Sequence, residues 1–254
     1  MPPPHPRRSP LAFFALVFLL SIPFWMVGQA TDLRLVQGLP IAALAVACPA
    51  AAAAILVWRE HRARGLAELL RRCFDFRRTR APVWYIPVIL LTPAVAVLAY
   101  GLQGAPPIRP IPLTAPLLLF LVFFVAGLCE ELGWSGYVID PLQGRWGALR
   151  ASLIVGAVWA AWHVIPLVQM HHPPAWIAWW CLATVGLRVL MVWLYNNTGK
   201  SVFAMALFHA MSNVAMLLVP ALYDPRLWGA ILAATAVVVA LVWGPRTLVR
   251  GRAS

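Results

Sequence analysis

Long apolar segments recur along the whole chain, and they restrict its possible folds more than any other feature. Eight can be delimited, at about residues 11–29, 38–58, 83–102, 114–130, 151–168, 175–196, 201–222 and 227–244. Each comes close to the ~20 residues that an α-helix needs to cross a hydrocarbon core. Their apolar residues are continuous and do not alternate with polar ones, which argues against a transmembrane barrel. The sequence predicts an all-α polytopic membrane protein, a helical bundle of about eight transmembrane helices.

Composition supports this class. Of the 254 residues, 62% are hydrophobic and 11% are charged, whereas a soluble domain carries ~25% charged residues. Neither an internal repeat nor a low-complexity linker interrupts the sequence. We therefore expect residues 1–254 to form a single integral membrane domain.

The net charge of +12 is distributed unevenly between alternate loops. If the amino terminus is cytoplasmic, sixteen Lys and Arg residues fall in cytoplasmic segments, and three, Arg34, Arg109 and Arg226, fall in outer loops. Such a bias is the positive-inside pattern. It predicts a cell-membrane protein with both termini in the cytoplasm. On this interpretation the basic charge reflects topology and anionic lipid, and nucleic acid is not a partner.

A basic segment, residues 59–82, follows the second apolar run. Its apolar residues, among them Leu66, Leu69 and Leu70, recur at helical spacing, and arginines occupy the other face. This pattern predicts an interfacial helix on the anionic cytoplasmic leaflet. The alternative is a solvated basic loop.

Few ionisable side chains lie within the spans or at their ends, and one amide accompanies them. They are the adjacent carboxylates of "CEELGWSGY", two histidines, one arginine and one amide: Glu130, Glu131, His163, His209, Arg188 and Asn213. An ionisable group at membrane depth is costly and marks a functional site by default. His209 and Asn213 are four residues apart and share a helix face. With the predicted topology, Glu130, His163 and His209 all lie in the cytoplasmic half of the membrane.

These groups are suited to hydrolysis. A glutamate and a histidine can take a proton from water, while a second histidine and an amide can stabilise an oxyanion. Alternatively, Glu130, His163 and His209 could bind zinc and activate its water. The zinc motif HExxH is absent. The residues alone leave both mechanisms open, so zinc is a candidate cofactor and not a firm prediction.

Three short motifs resemble those of the CPBP family, the CAAX-protease and bacteriocin-processing intramembrane proteases, also called Abi proteins. The family patterns EExxxR, FxxxH and HxxxN/D are similar to "EELGWS" (130–135), "WAAWH" (159–163) and "HAMSN" (209–213). They occur in order, at the end of the fourth predicted span and within the fifth and the seventh, and the resemblance covers roughly residues 60–215. It implies an eight-helix protease core.

The resemblance also implies roles for individual residues. Glu130 would activate water with His163, while His209 and Asn213 would stabilise the oxyanion. Glu131 would be a supporting carboxylate. Metal use in the family is disputed, and we favour metal-independent glutamate catalysis over a zinc site.

Two positions depart from the family motifs. Trp159 replaces phenylalanine, a change we expect to be mild. Ser135 stands where the first motif has arginine, so Glu131 loses a cation one helical turn away. We hypothesise that Arg188 supplies this charge; the alternative is that Arg188 snorkels to the interface.

The leading hypothesis is an intramembrane endopeptidase that cleaves a peptide or protein near the cytoplasmic face, with prenylation of the substrate left open. A second hypothesis is a non-catalytic membrane scaffold or immunity protein, and the lost motif arginine favours it. A third is a proton-coupled transporter, although the repeated halves of many transporters are absent.

Overall fold

A computed structural model of the chain describes residues 8–31, 34–36, 39–79, 81–104, 112, 114–218 and 223–250. Arg7, Arg80, Arg109 and Arg252, which enter the charge count, and residues 219–222 of the seventh predicted span lie outside them.

Nine α-helices occur within the described residues. They are α1 (Pro10–Ala30), α2 (Cys48–Arg71), α3 (Tyr85–Leu102), α4 (Thr114–Gly133), α5 (Ile139–Trp146), α6 (Ala148–Gln169), α7 (Pro174–Asn197), α8 (Val202–Leu217) and α9 (Pro225–Trp243). Three 3₁₀ segments, Ile41–Ala47, Arg72–Arg78 and Pro82–Trp84, flank α2 and precede α3. A π-helical turn, Trp134–Val138, joins α4 to α5. Two short antiparallel strands, β1 (Arg34–Val36) and β2 (Leu39–Pro40), form a hairpin after α1.

Each predicted span corresponds to one helix. Seven helical segments of the described chain are long and apolar enough to cross a membrane, and α8 is a shorter apolar helix. The prediction of an all-α polytopic membrane protein is confirmed. The predicted end of the second span, at 58, lies inside α2, which continues to Arg71 across a kink at Arg62.

Two close helix crossings position the elements that carry the polar motifs. Helix α4 packs against α8, and α6 packs against α7. At the first crossing, a Cβ on Gly127 would lie 3.0 Å from the carbonyl oxygen of Ala206. At the second, a Cβ on Gly156 would lie 3.1 Å from the Cα of Val185 and 3.2 Å from the Cβ of Arg188. Glycine at both positions lets the helix backbones approach, as is common between membrane helices.

Asp75, in the basic segment 59–82, holds the amino end of α8. Asp75 accepts hydrogen bonds from the backbone N–H groups of Val202 and Phe203, at 3.2 and 3.0 Å, and from the hydroxyl of Ser201 at 2.7 Å. A carboxylate at a helix N-terminus satisfies free N–H groups and interacts favourably with the helix dipole. His209 lies two turns further along the same helix, so this contact positions the third motif.

Candidate active site

Glu130 lies in the last turns of α4 and is 5% exposed. The indole N–H of Trp159, on α6, donates a hydrogen bond to Oε2 of Glu130 at 2.7 Å. The other oxygen, Oε1, lies 3.9 Å from Nε2 of His209, on α8. Glu130 is therefore oriented by one hydrogen bond and keeps one oxygen without a hydrogen bond from the described residues.

Glu131 is fully buried, and both of its oxygens are occupied. Arg188, on α7, donates to Oε2 at 2.9 Å and to Oε1 at 3.0 Å. The Ser135 hydroxyl donates to Oε2 as well, and Nδ1 of His209 lies 3.1 Å from Oε1. Such a two-bonded arginine–carboxylate pair fixes both orientation and charge. Glu131 is thus poorly placed to act as a base.

Arg188 is 1% exposed and lies on the buried side of α7. Its guanidinium carbon is 4.2 Å from the ring centroid of Trp159, a cation–π contact. Its Nε is buried without a hydrogen-bond partner in the described part of the chain. In the structure Arg188 therefore pairs with Glu131 and does not snorkel to the interface.

His209 is placed between the two carboxylates. Because an ionised carboxylate only accepts hydrogen bonds, Nδ1 of His209 donates to Glu131. Nε2 then faces Glu130 and donates only when both ring nitrogens carry protons. In that state two positive groups, His209 and Arg188, balance two glutamates. The cluster can therefore be electrically neutral while His209 presents an N–H.

His163, one helical turn after Trp159 on α6, is half-buried. Its Nδ1 lies 2.9 Å from the carbonyl oxygen of Trp159. Since a carbonyl only accepts, Nδ1 carries the proton, and Nε2 of the neutral ring has a free lone pair. The ring also contacts that of Trp180, with centroids 5.0 Å apart.

Glu130, His163, His209 and Asn213 all line one cavity of about 80 Å³. This volume accommodates roughly two water molecules. Asn213 is half-buried, and no hydrogen bond engages its amide within the described residues. The rest of the wall is mainly apolar and aromatic: Trp159, Trp180, Ala183, Leu187, Met216, Tyr223 and Trp228. The structure therefore brings together the four residues predicted to be catalytic, while Glu131, Ser135 and Arg188 do not line the cavity.

The zinc alternative requires Glu130, His163 and His209 to converge on one point. Among the residues that the structure describes, no group of three or more His, Cys, Asp or Glu side chains is arranged to hold a metal ion. The engaged ring nitrogens are Nδ1 of His209 and Nδ1 of His163, so only the two Nε2 atoms could bind a metal. As arranged, the three side chains do not fit a three-ligand zinc site.

Comparison with known proteins agrees with this picture over part of the chain. Residues 112–215 match the family model described as "Type II CAAX prenyl endopeptidase Rce1-like". A relative, "CAAX prenyl protease 2" of Methanococcus maripaludis, is 28% identical over 118 residues. The resemblance to the CPBP family is confirmed. The aligned segment spans 43% of this chain and 43% of that relative.

The two departures from the CPBP motifs are both next to the glutamates. Ser135 replaces an arginine, and Arg188 reaches Glu131 from another helix. Trp159 replaces a phenylalanine, and its indole N–H donates to Glu130, which a phenylalanine cannot do. The expectation that this second change is mild is untested, and the hydrogen bond to Glu130 predicts instead that reversion to phenylalanine lowers activity.

Trp180 is a cavity residue that the sequence reading missed. Its ring contacts that of His163. A signal for it was available, because Trp180, Thr184 and Arg188 are spaced four residues apart and so share a face of α7. The buried arginine on that face marked it as the side towards the site.

Proposed function

We propose that this chain is an intramembrane endopeptidase of the CAAX-protease type, which hydrolyses a peptide bond with a water activated by Glu130 and His163. One observation carries the proposal: a base, a second proton acceptor and two donors from α4, α6 and α8 line the same small cavity. The match over residues 112–215 includes all four residues.

In the first step, a water in the cavity donates a proton to Glu130 as its oxygen attacks the carbonyl carbon of the peptide. Oε1 of Glu130 accepts no hydrogen bond from the described residues and is available for this proton. Nε2 of His163, with Nδ1 tied to the Trp159 carbonyl, can accept the second hydrogen of the water and orient it. A correctly placed general base contributes typically 10²–10⁴-fold to such a step.

In the second step, the carbonyl oxygen becomes an oxyanion, which must be stabilised by hydrogen-bond donors. The amide of Asn213 and Nε2–H of doubly protonated His209 can supply them, because both residues line the cavity from one face of α8. Glu131 and Glu130 stabilise the positive His209 ring. Loss of one oxyanion donor typically lowers kcat by ~10²–10³-fold.

In the third step, the C–N bond breaks and Glu130 returns the proton to the departing amine. The products are a carboxylic acid and an amine, and Glu130 is again ionised. Glu131, Arg188, Ser135 and Trp159 touch no reacting atom. They position His209 and Glu130, which is a supporting role.

The site lies close to a strongly basic end of the molecule. Arg72 donates to the carbonyl oxygen of Gly136 at 2.8 Å, five residues after Glu131. Arg8 donates to the same oxygen at 3.1 Å. By the positive-inside rule this end faces the cytoplasm. We therefore place cleavage near the cytoplasmic face of the cell membrane, with both termini cytoplasmic and the segment 59–82 at the anionic leaflet.

The domain arrangement that we propose is one membrane domain, residues 1–254, with residues 60–215 as the protease core. The substrate is a peptide or protein that reaches the site from the membrane or the cytoplasm. Whether it is prenylated is a question for experiment.

The test uses purified protein in detergent or liposomes, with quenched peptide libraries, farnesylated and unmodified. We expect Glu130→Gln, His163→Asn and His209→Asn each to lose at least about 10²-fold in activity. Matched controls are Asp224→Asn, which changes an outer helix-cap carboxylate, and His171→Asn, which changes an exposed histidine. Both should cleave like the wild type. Cleavage that survives in Glu130→Gln would refute the mechanism.

A further inference from the structure

A second, larger cavity lies among the start of α1, the second half of α2, α5 and the turn between α7 and α8. Its volume is about 780 Å³. The cationic side chains that line it are Arg8, Arg64, Arg71, Arg72, Arg78 and Lys200, against three carboxylates, Glu68, Asp75 and Asp140. We call this cavity the basic cleft. Six cations against three carboxylates leave a positive surplus.

Two of the three carboxylates are engaged in holding the fold. Asp75 caps α8 through the N–H groups of Val202 and Phe203. Asp140 accepts hydrogen bonds from Lys200 at 2.9 Å and from Gln143 at 2.8 Å. Asp75 also lies within ion-pair distance of Arg72 and Arg78, at 3.7 and 3.8 Å, and the third carboxylate, Glu68, lies 3.4 Å from Arg64.

Two arginines of the cleft, Arg8 and Arg71, have no carboxylate partner within the described residues. Arg8 donates to backbone carbonyls, those of Gly136 and Tyr137. Arg71 is exposed and makes no hydrogen bond or ion pair within the described residues. Nε of Arg72 is buried without a hydrogen-bond partner in the same part of the chain, 3.7 Å from Asp75. Some guanidinium N–H groups around the cleft therefore have no hydrogen-bond acceptor within the described residues.

The shape of the cleft comes from a break in α2. Arg62 has φ 54° and ψ −150° in the middle of that helix, a conformation that side-chain-bearing residues rarely adopt. Residues before the break, Val57 and His61, and residues after it, Arg64 and Leu69, line the same cavity. Both halves of α2 therefore contribute to the wall of the cleft.

We propose that the basic cleft binds a phosphate group. The guanidinium fork matches phosphate oxygens with two parallel hydrogen bonds, and several cations from separate elements suit a polyvalent oxyanion. The cleft also lies at the end of the membrane-spanning helices, the depth at which lipid head groups lie. The phosphate belongs to an anionic phospholipid or to a free phosphate compound. This inference does not depend on the proposed catalytic activity.

The experiment measures binding to the full-length protein in a neutral detergent. Three probes are titrated: dihexanoylphosphatidylglycerol, dihexanoylphosphatidylcholine and inorganic phosphate. The variant is Arg8→Gln with Arg71→Gln, which removes two cations that have no carboxylate partner. The matched control is Arg59→Gln with Arg77→Gln, which removes two exposed arginines outside the cleft lining.

We expect the anionic lipid to bind more tightly than the zwitterionic one. Its affinity should fall at least about tenfold in the cleft variant, because each interfacial cation contributes substantially to binding an anionic head group. The control should stay within about twofold, since an exposed arginine outside the site contributes little. If inorganic phosphate displaces the lipid, a free phosphate compound is the assigned source; if it does not, the lipid head group is.

Arg8 bonds to the backbone, so the double variant could lose binding by misfolding. Arg71→Gln alone removes a side chain that bonds to no described residue, and it should weaken binding at an unchanged Tm. Arg71→Lys, which keeps the charge without the guanidinium fork, should recover only a part of the affinity. Equal affinity for both lipids, no binding of any probe, or equal binding by wild type and cleft variant would overturn the proposal.

Discussion

Arg188 on α7 donates two hydrogen bonds to Glu131 on α4, and both side chains are almost completely buried. In the CPBP motif the cation stands one helical turn after the second glutamate, where this chain has Ser135. The charge is thus supplied across a helix interface instead of along one helix. Glu131 in turn holds His209, so this ion pair links three of the helices that form the site.

Arg188→Met should destabilise the protein and abolish activity. Removing one partner of a buried ion pair leaves an uncompensated charge, at a cost of about 3–5 kcal/mol. Thermal unfolding in detergent, followed by the peptide cleavage assay, measures both effects. Arg188→Met that is as stable and as active as the wild type would refute the proposed role of the pair.

The same relationship predicts a rescue. Ser135→Arg places an arginine four residues after Glu131, within reach along one helix. Combined with Arg188→Met, it should recover most of the lost stability and a part of the activity. Ser135→Lys is the matched control: it restores the charge without the two-pronged geometry, so it should recover less. No recovery with Ser135→Arg would mean that the position of the cation matters as well as its charge.

Hydropathy was sufficient to predict the fold class and the eight apolar helices, because a membrane span has a fixed length and must be continuously apolar. The convergence of Glu130, His163, His209 and Asn213 was also predictable, since their depths follow from the topology. The kink at Arg62 was not, because nothing in "WREHRARG" marks a break in the helix. It depends on how the two halves of α2 pack.

Hydrogen bonds between helices were equally hidden. In the sequence, Trp159 in place of phenylalanine is only an exchange of aromatic residues. The structure is needed to show that its Nε1–H donates a hydrogen bond to Glu130. Membrane depth alone suggested Glu131 as the partner of Arg188. The choice between this pairing and snorkelling depended on the helix packing at Gly156, which the sequence does not show.

Trp159→Phe, which restores the family residue, should lower kcat by about tenfold to a hundredfold. A hydrogen bond to a charged group contributes ~1.5–3 kcal/mol, and its loss leaves Glu130 without the contact that orients it. Trp162→Phe is a matched control on the same helix, because its indole N–H donates to Ser21, at 2.7 Å. This control should lower Tm with kcat within about twofold of wild type. Equal kcat losses in both variants would show that packing, and not the bond to Glu130, is responsible.

Metal removal should leave cleavage within about twofold of the untreated enzyme. The described side chains do not form a three-ligand set, and the proposed base acts directly on water. Prolonged dialysis against a chelator, with metal content measured by mass spectrometry, is the test. Activity that disappears with the metal and returns with added zinc would instead show that a metal takes part, and the metal-independent mechanism would have to be abandoned.

Asp75→Ala should loosen the start of α8 and weaken catalysis indirectly. The substitution removes a hydroxyl contact and two backbone caps, so a loss of about 2 kcal/mol is expected. Hydrogen exchange should speed up at Val202–Ala206 and leave α9 unchanged.

Asp224→Ala, which removes the corresponding cap of α9, should give the opposite pattern and keep full activity. Because His209 lies two turns beyond Asp75's contacts, kcat should fall in Asp75→Ala in proportion to the loosening. Faster exchange of α8 with unaltered kcat would show that the rest of the bundle holds His209 in place without this cap.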